Sequence, residues 1–442
     1  MDINRELLNF IEESPSMYHV AVNMGARLKQ AGFKQLKENM SWDLQPGGKY
    51  FITRNNSSII AFTVSGGNSN LYFKIAASHS DSPTFMVKDV PEIEGPGEYL
   101  RLNVEPYGSM IDYSWLDRPL GIAGRVYIRD GSSIKSRLIS TDKDICLIPS
   151  QSIHFNSTVN KGYEFNRQID LCPLFSAGRL KKGSLDRLIA ASLGVRPEDI
   201  LGKNLFLVNR QKGTVWGASK EFISSPKLDD LQCAFTSLIG FINAAEDFTA
   251  NDDGCINIFA CFDNEEVGST TKQGALSTFL KDVIYRICVC RRTAAEEYHR
   301  AVARSFMLSC DNAQALHPNH PEKYDGTNTP MMNKGIVIKE SASQSYMTDG
   351  LSRSVLKMIC EKADVPCQTY ANRSDTRGGS TLGNISNTQV SLNGVDIGLP
   401  QIAMHSSYET AGTKDNEWAV KLFETYFKSG LNIEGSDKVE IY

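Results

Sequence analysis

Leu71-Tyr72-Phe73-Lys74-Ile75-Ala76-Ala77 runs straight into Ser78-His79-Ser80-Asp81, an apolar strand that ends in an imidazole and a carboxylate. The pattern recurs three times. Ile256-Asn257-Ile258-Phe259-Ala260-Cys261-Phe262 leads into Asp263-Asn264-Glu265-Glu266, and Phe306-Met307-Leu308-Ser309-Cys310 leads into Asp311. Pro400-Gln401-Ile402-Ala403-Met404 leads into His405. Open α/β sheets bind ligands beyond the carboxyl ends of their strands, so these side chains are expected to converge at one edge. Asp229, in Ser225-Pro226-Lys227-Leu228-Asp229-Asp230, joins them from the loop before a helix with Leu231, Phe235, Leu238 and Ile242 at helical spacing.

Outward from these strands the chain alternates in texture. Helices are predicted over residues 4–13 and 16–31, stopped by Ser14-Pro15 and Gly32. Strands are predicted over 50–53, 58–64 and 71–77. From about residue 88 to 217, short β-like runs alternate with turn-rich pieces, interrupted by one helix over 184–193. After Gly217, helices again alternate with apolar strands. A chain of 442 residues exceeds what one core usually serves. The expected fold is α/β, a mixed sheet flanked by helices on both faces. It is built from residues 1–88 and 218–442 and interrupted by a β-rich insertion over 89–217.

Composition narrows the function classes. A formal charge of −4 gives no basic footprint, which argues against a nucleic-acid partner. No apolar run approaches the roughly 20 residues needed to cross a bilayer, and Met1-Asp2-Ile3-Asn4-Arg5-Glu6 is too charged to open a signal peptide. A cytoplasmic protein with no membrane partner is expected. The ten cysteines are scattered singly, without a Cys-x-x-Cys pair, and read as buried free thiols.

Each chemical signal is weak by itself. A histidine after a strand is commonly a hydrogen-bonded surface residue, paired glutamates are commonly solvated charge, and Asp311 could cap a helix beginning at Ala313. The set is more informative than its members. Two divalent ions about 3.5–4 Å apart repel and need several carboxylates, one of them shared. Imidazoles complete such sites without adding charge and suit zinc. A further carboxylate can then take a proton from water and pass it to a leaving amine. Adjacent Glu265 and Glu266 can divide ligand and base roles, because neighbouring side chains in extended backbone point opposite ways.

These residues resemble the aspartyl aminopeptidase family of two-metal metallopeptidases, in particular its bacterial branch. The matching segments are Ser14-Pro15-Ser16-Met17-Tyr18-His19, Ser78-His79-Ser80-Asp81-Ser82-Pro83, Lys227-Leu228-Asp229-Asp230 and Asp263-Asn264-Glu265-Glu266-Val267-Gly268-Ser269. Asp311-Asn312-Ala313-Gln314-Ala315, His317-Pro318-Asn319, Lys334-Gly335-Ile336-Val337-Ile338-Lys339 and Ala403-Met404-His405-Ser406 follow in family order. The resemblance implies a zinc-peptidase-like fold and two divalent ions per subunit, zinc with cobalt or manganese as alternatives. It implies Asp229 as the bridging ligand, His79 and Asp311 at one ion, and Glu266 and His405 at the other. Glu265 is implied as general base, with Asp81 orienting His79. It further implies that the insertion is a dimerisation domain, that the assembly is a homo-oligomeric dodecamer built from dimers, and that His154 reaches a neighbouring subunit's site.

The implied substrates are peptides with a free amino terminus, preferentially Asp or Glu, which calls for a cationic pocket. Lys339 is the first candidate, with Arg373 and Arg377 as alternatives that could equally be surface cations. His317 is a substrate-side candidate. Asp230 departs from the family pattern, where Asn is common, and is expected to cap the following helix. The competing readings are a two-metal deacylase or carboxypeptidase, a broad neutral aminopeptidase, and a non-catalytic binding shell. A serine hydrolase lacks its Gly-x-Ser-x-Gly elbow and a nucleotide hydrolase lacks its phosphate loop.

Overall fold

The Asp2 side chain accepts the amides of Asn4 and Arg5 and opens the helix Ile3–Glu13, satisfying donors that the first turn leaves orphaned. Ser14-Pro15 separates it from Met17–Gln30 because proline cannot continue an α-helix. Leu7, Phe10 and Ile11 of the first helix and Val20, Met24 and Leu28 of the second enter one core. The computed structural model describes residues 2–67, 70–248 and 254–442.

That core covers one face of a nine-stranded mixed sheet. Its strands run in the order Lys34–Gln35, Lys49–Arg54, Ser58–Thr63, Cys255–Phe262, Tyr72–His79, Phe306–Cys310, Asn393–Gly398, Ile336–Glu340 and Cys367–Ala371. The strands Cys255–Phe262, Tyr72–His79 and Phe306–Cys310 are adjacent and parallel, so their carboxyl ends open onto the same edge. Every residue of these three strands is buried, as expected where helices cover both faces. Successive side chains feed opposite cores, as the period of two requires. Ala76, Phe259 and Cys261 face the core shared with the helices Leu228–Glu246, Gly350–Ala363 and Thr413–Lys428. Ile75, Ala77, Ile258 and Ala260 face the core shared with Phe279–Cys290.

A second sheet occupies the middle of the sequence. It has seven strands in the order Ile200–Asn209, Thr84–Glu94, Tyr99–Tyr107, Leu174–Ala177, Cys146–Leu147, Pro119–Asp130 and Ser133–Ser140. Ile200–Asn209 also pairs with Pro119–Asp130, so the sheet curls back on itself around its own core, which the helix Ser184–Leu193 completes.

The structure corrects one expectation about the strands. Pro400–Ile402, which leads to His405, does not belong to the nine-stranded sheet. It lies in a separate five-stranded sheet with Ala313–Gln314, Glu409–Gly412, Phe222–Ser225 and Thr214–Trp216. The chain leaves the large sheet after Gly398, and Pro400 has no N–H with which to continue a ladder. Ala313–Gln314 being a strand also leaves Asp311 no helix to cap. All ten cysteines are free thiols and most are buried. Among the described residues no helix is long and apolar enough to cross a membrane.

Candidate metal centre

At the shared edge, His79 closes its strand with each ring nitrogen committed. Nε2 lies 3.4 Å from Asp229 Oδ1 and 3.7 Å from Asp311 Oδ1. Nδ1 faces away, 3.1 Å from the Asp81 main-chain oxygen and 3.4 Å from its Oδ1. The other oxygen of Asp229, Oδ2, lies 3.5 Å from His405 Nε2, and the same nitrogen is 3.4 Å from Glu266 Oε2. The Asp229 carboxylate thus stands between two imidazoles. Three overlapping donor groups result, each compact enough for one ion: His79, Asp229, Asp230 and Asp311; Asp229, Glu266 and His405; and His79, Glu265 and Glu266.

Two buried carboxylates hold these donors from behind. Asp81 accepts the amide of Glu265 on Oδ1 at 3.1 Å and that of Glu266 on Oδ2 at 3.2 Å. Glu409 accepts the amides of Asp229 at 3.0 Å and His405 at 2.7 Å. Sequence reasoning singled out Asp81 but missed Glu409. The one available signal was a lone carboxylate four positions after His405. The loops are also tightly wound. Asn264, Lys227 and His405 have φ of +63°, +58° and +66°, left-handed values that cost a non-glycine residue about 1–3 kcal/mol and gather at functional sites.

Asp230 takes a different role from the expected helix cap. It makes no capping bond at the start of Leu228–Glu246, where Asp229 and Asp230 have non-helical backbone angles. Its Oδ2 instead accepts the His79 amide at 3.0 Å. With the chain turned away from helical geometry at that point, the first-turn amides do not face its side chain.

The electrostatics call for cations. Burial pushes the Glu266 carboxyl well above its usual range, and Asp229 pushes it further. Burial raises Glu265 to about 8; His79 opposes this, while Asp311, Asp81 and Asp229 add to it. Burial likewise raises Asp230. Burial works against the charged form of His405, but Asp229 and Glu266 outweigh it and raise the imidazole to about 10. Asp229 Oδ1, Asp230 Oδ1 and Glu266 Oε1 are buried without a well-formed hydrogen bond among the described residues. Orphaned acceptors at this density are costly unless a positive ion sits among them, and mixed carboxylate–imidazole donors suit a divalent transition metal.

The cluster lines a cavity of about 400 Å³, with Lys339, Tyr346, Tyr370 and Arg377 on its walls. Lys339 is buried and its Nζ lies 3.4 Å from Asp311 Oδ2, so it braces a donor as well as facing the cavity. Arg373 lines the cavity but is exposed and paired with Asp375 at 2.6 Å. Arg377 is exposed and has no carboxylate partner among the described residues. His317 is not among the lining residues; its Nδ1 accepts the Asn319 amide at 3.2 Å and its ring lies against His320. His154 is exposed, away from the cavity of its own chain.

A mixed α/β sheet whose strand ends gather carboxylates and imidazoles defines the class of zinc-peptidase-like proteins. A profile of the Peptidase_M18 family, Aminopeptidase I zinc metalloprotease, matches residues 10–427, and this chain belongs to that family. It is a metallo-aminopeptidase. "Probable M18 family aminopeptidase 2" of Clostridium novyi is 43% identical, over 96% of this chain and 98% of the relative. "Aspartyl aminopeptidase 4" of Saccharomyces cerevisiae is 35% identical, over 98% of this chain and 96% of the relative. Among solved structures, that of the Ape4 and Nbr1 complex superposes with a TM-score of 0.93 at 33% identity, covering 97% of this chain and 85% of that one. The S. cerevisiae mApe1 dodecamer gives 0.85 at 28% identity, covering 97% and 96%.

Proposed function

We propose that the cluster holds two divalent ions, zinc in the first instance, and removes amino-terminal Asp or Glu from peptides. The observation that carries the two-ion reading is the Asp229 carboxylate, whose oxygens face His79 and His405 at 3.4 and 3.5 Å. Asp229 would be shared by both ions, with His79 and Asp311 holding one and Glu266 and His405 the other. The ions, when bound, polarise the scissile carbonyl and make a water acidic enough to ionise near neutral pH. Glu265, which also lines the cavity, takes the proton of the attacking water and hands it to the departing amine. Asp81 holds the His79 ring through its second nitrogen, fixing which nitrogen faces the ions.

Acidic preference is supported by Lys339 and Arg377, two of the cations on the cavity wall, and by the aspartyl aminopeptidase name of a full-length relative. Arg377 is the freer of the two, since Lys339 is tied to Asp311. His317 is not carried forward as a substrate contact, because it lies outside the lining.

Residues 89–217 form the dimerisation domain in this reading, and the subunits build a dodecamer like that of the mApe1 relative. The exposed segment Ser152-Ile153-His154-Phe155 then lends His154 to a neighbouring site. Ten free thiols fit a reducing, cytoplasmic compartment.

A panel of chromogenic aminoacyl substrates tests the reading. It spans acidic, neutral and basic side chains plus an amino-acetylated control, with and without chelator and added metal. Metal-dependent cleavage of Asp and Glu substrates with the acetylated control inert is the expected result. Preference for neutral residues would discard the acidic pocket alone, and turnover of the acetylated substrate would move the enzyme to the deacylases.

A further inference from the structure

Tyr107 closes the strand Tyr99–Tyr107 of the seven-stranded sheet, yet its hydroxyl reaches the turn that carries Glu265 and Glu266. The phenol donates to Asp81 Oδ2 at 2.8 Å and accepts from Asn264 Nδ2 at 2.7 Å. Asp81 is the carboxylate that receives the Glu265 and Glu266 amides. Asn264 Oδ1 accepts Thr271 Oγ1 and Gln273 Nε2, both at 2.7 Å, and so ties the turn's two flanks together. The ring itself is buried edge-on against Phe206, with centroids 5.4 Å apart.

The next residues continue the contact. Gly108 has φ +81°, and a Cβ there would lie 3.1 Å from Glu266 Cβ, so glycine permits the close approach. Ile111 donates its amide to the His405 carbonyl at 3.0 Å. Ser114 Oγ accepts the Ser407 amide at 2.9 Å. The segment leaving the seven-stranded sheet therefore touches two of the loops that supply donors to the cluster, those of Glu266 and His405.

We infer that Tyr107 is a positioning residue for the aminopeptidase reaction, fixing through Asp81 and Asn264 the turn that aims Glu265 and Glu266. The inference rests on the roles proposed for those two glutamates. Without the hydroxyl, Asp81 loses one of the bonds that hold it and the Asn264 amide loses its acceptor. The turn is then held by fewer bonds, while the ring still fills its place against Phe206. A merely structural tyrosine would be replaced by phenylalanine with no effect local to this turn.

The test is Tyr107→Phe in the full chain loaded with zinc, with Tyr99→Phe, an exposed tyrosine at the far end of the same strand, as control. Amide exchange of the 263–269 turn is measured alongside kcat, KM and zinc content. Exchange of the turn is expected to quicken while the rest of the sheet is unchanged. Expected too are a kcat lowered roughly 10-fold, KM within about twofold and zinc retained. Unchanged exchange in the turn, or unchanged kcat, overturns the inference. So does a quickening spread evenly over both sheets, which marks a packing role. Should the wild type bind zinc but turn over no free-amine substrate while the local exchange change persists, the positioning stands and the peptidase reading fails.

Discussion

Glu265 and His405 line the same cavity but answer to different experiments. Glu265→Gln keeps the shape and removes the base, so metal content is expected to hold while kcat falls by about 10²–10⁴-fold. Normal turnover in that variant would end the base assignment. His405→Ala removes a donor, so one equivalent of metal is expected to leave; elemental analysis finding the full complement would contradict the ligand role. At this scale the sequence was informative wherever a donor directly follows an apolar strand, as His79, Asp311 and the Glu265-Glu266 turn do. It was silent on Glu409 and Tyr107. Their partners are backbone amides and side chains on other elements, which no local spacing announces. Asp230 misled for a related reason, because a helix-opening position says nothing about the backbone angles of the first turn.

Lys74 fastens a helix end from within an apolar strand. It interrupts an apolar strand and is buried, with Nζ donating to the carbonyls of Tyr426 and Phe427 at 3.2 and 2.6 Å. These are among the last carbonyls of the helix Thr413–Lys428, which have no partner within the helix. Lys74→Met is expected to strip these carbonyls of their charged donor, leaving Phe427 the bond from Asn257 Nδ2 and Tyr426 that from the Ser429 amide, and to cost about 1–3 kcal/mol, read as a lower midpoint in denaturant. A midpoint equal to wild type would show that the lysine carries no such load.

His19, on the helix Met17–Gln30, offers a pH test. Burial and then the Lys227 cation lower its pKa from 6.5 to about 4. The unfolded chain therefore binds the proton first, and stability is expected to fall as pH drops from about 6.5 toward 4. His19→Gln should flatten that slope; an unaltered pH dependence would remove His19 as its source. Element types and approximate ends were readable from apolar period and turn residues. Sheet membership was not, since the run before His405 looks like its counterparts and only Pro400 hints at a change of ladder.

Across the molecule, the ends of strands from the nine- and five-stranded sheets meet at one cluster. Removal of metal by a chelator is therefore expected to abolish turnover and also lower the melting temperature, because ligands bound only by the folded state stabilise it. A chain that loses activity but melts unchanged would place the ions outside the fold's own energetics. The change of texture between the two helical regions was visible in the sequence, because short β-runs and turns differ from alternating helix and strand. The way the inserted sheet curls back on itself was not, since the pairing of Ile200–Asn209 with Pro119–Asp130 joins stretches far apart in sequence.

The same remoteness marks the centre itself. His79, Asp229, Glu266, Asp311 and His405 come from five separate stretches, and the strands bearing three of them are neighbours only through long-range pairing. Such contacts form late, after the loop-closure entropy has been met. A nascent or partly unfolded copy thus carries no fragment able to cut. Hydrolytic power arrives with the finished fold.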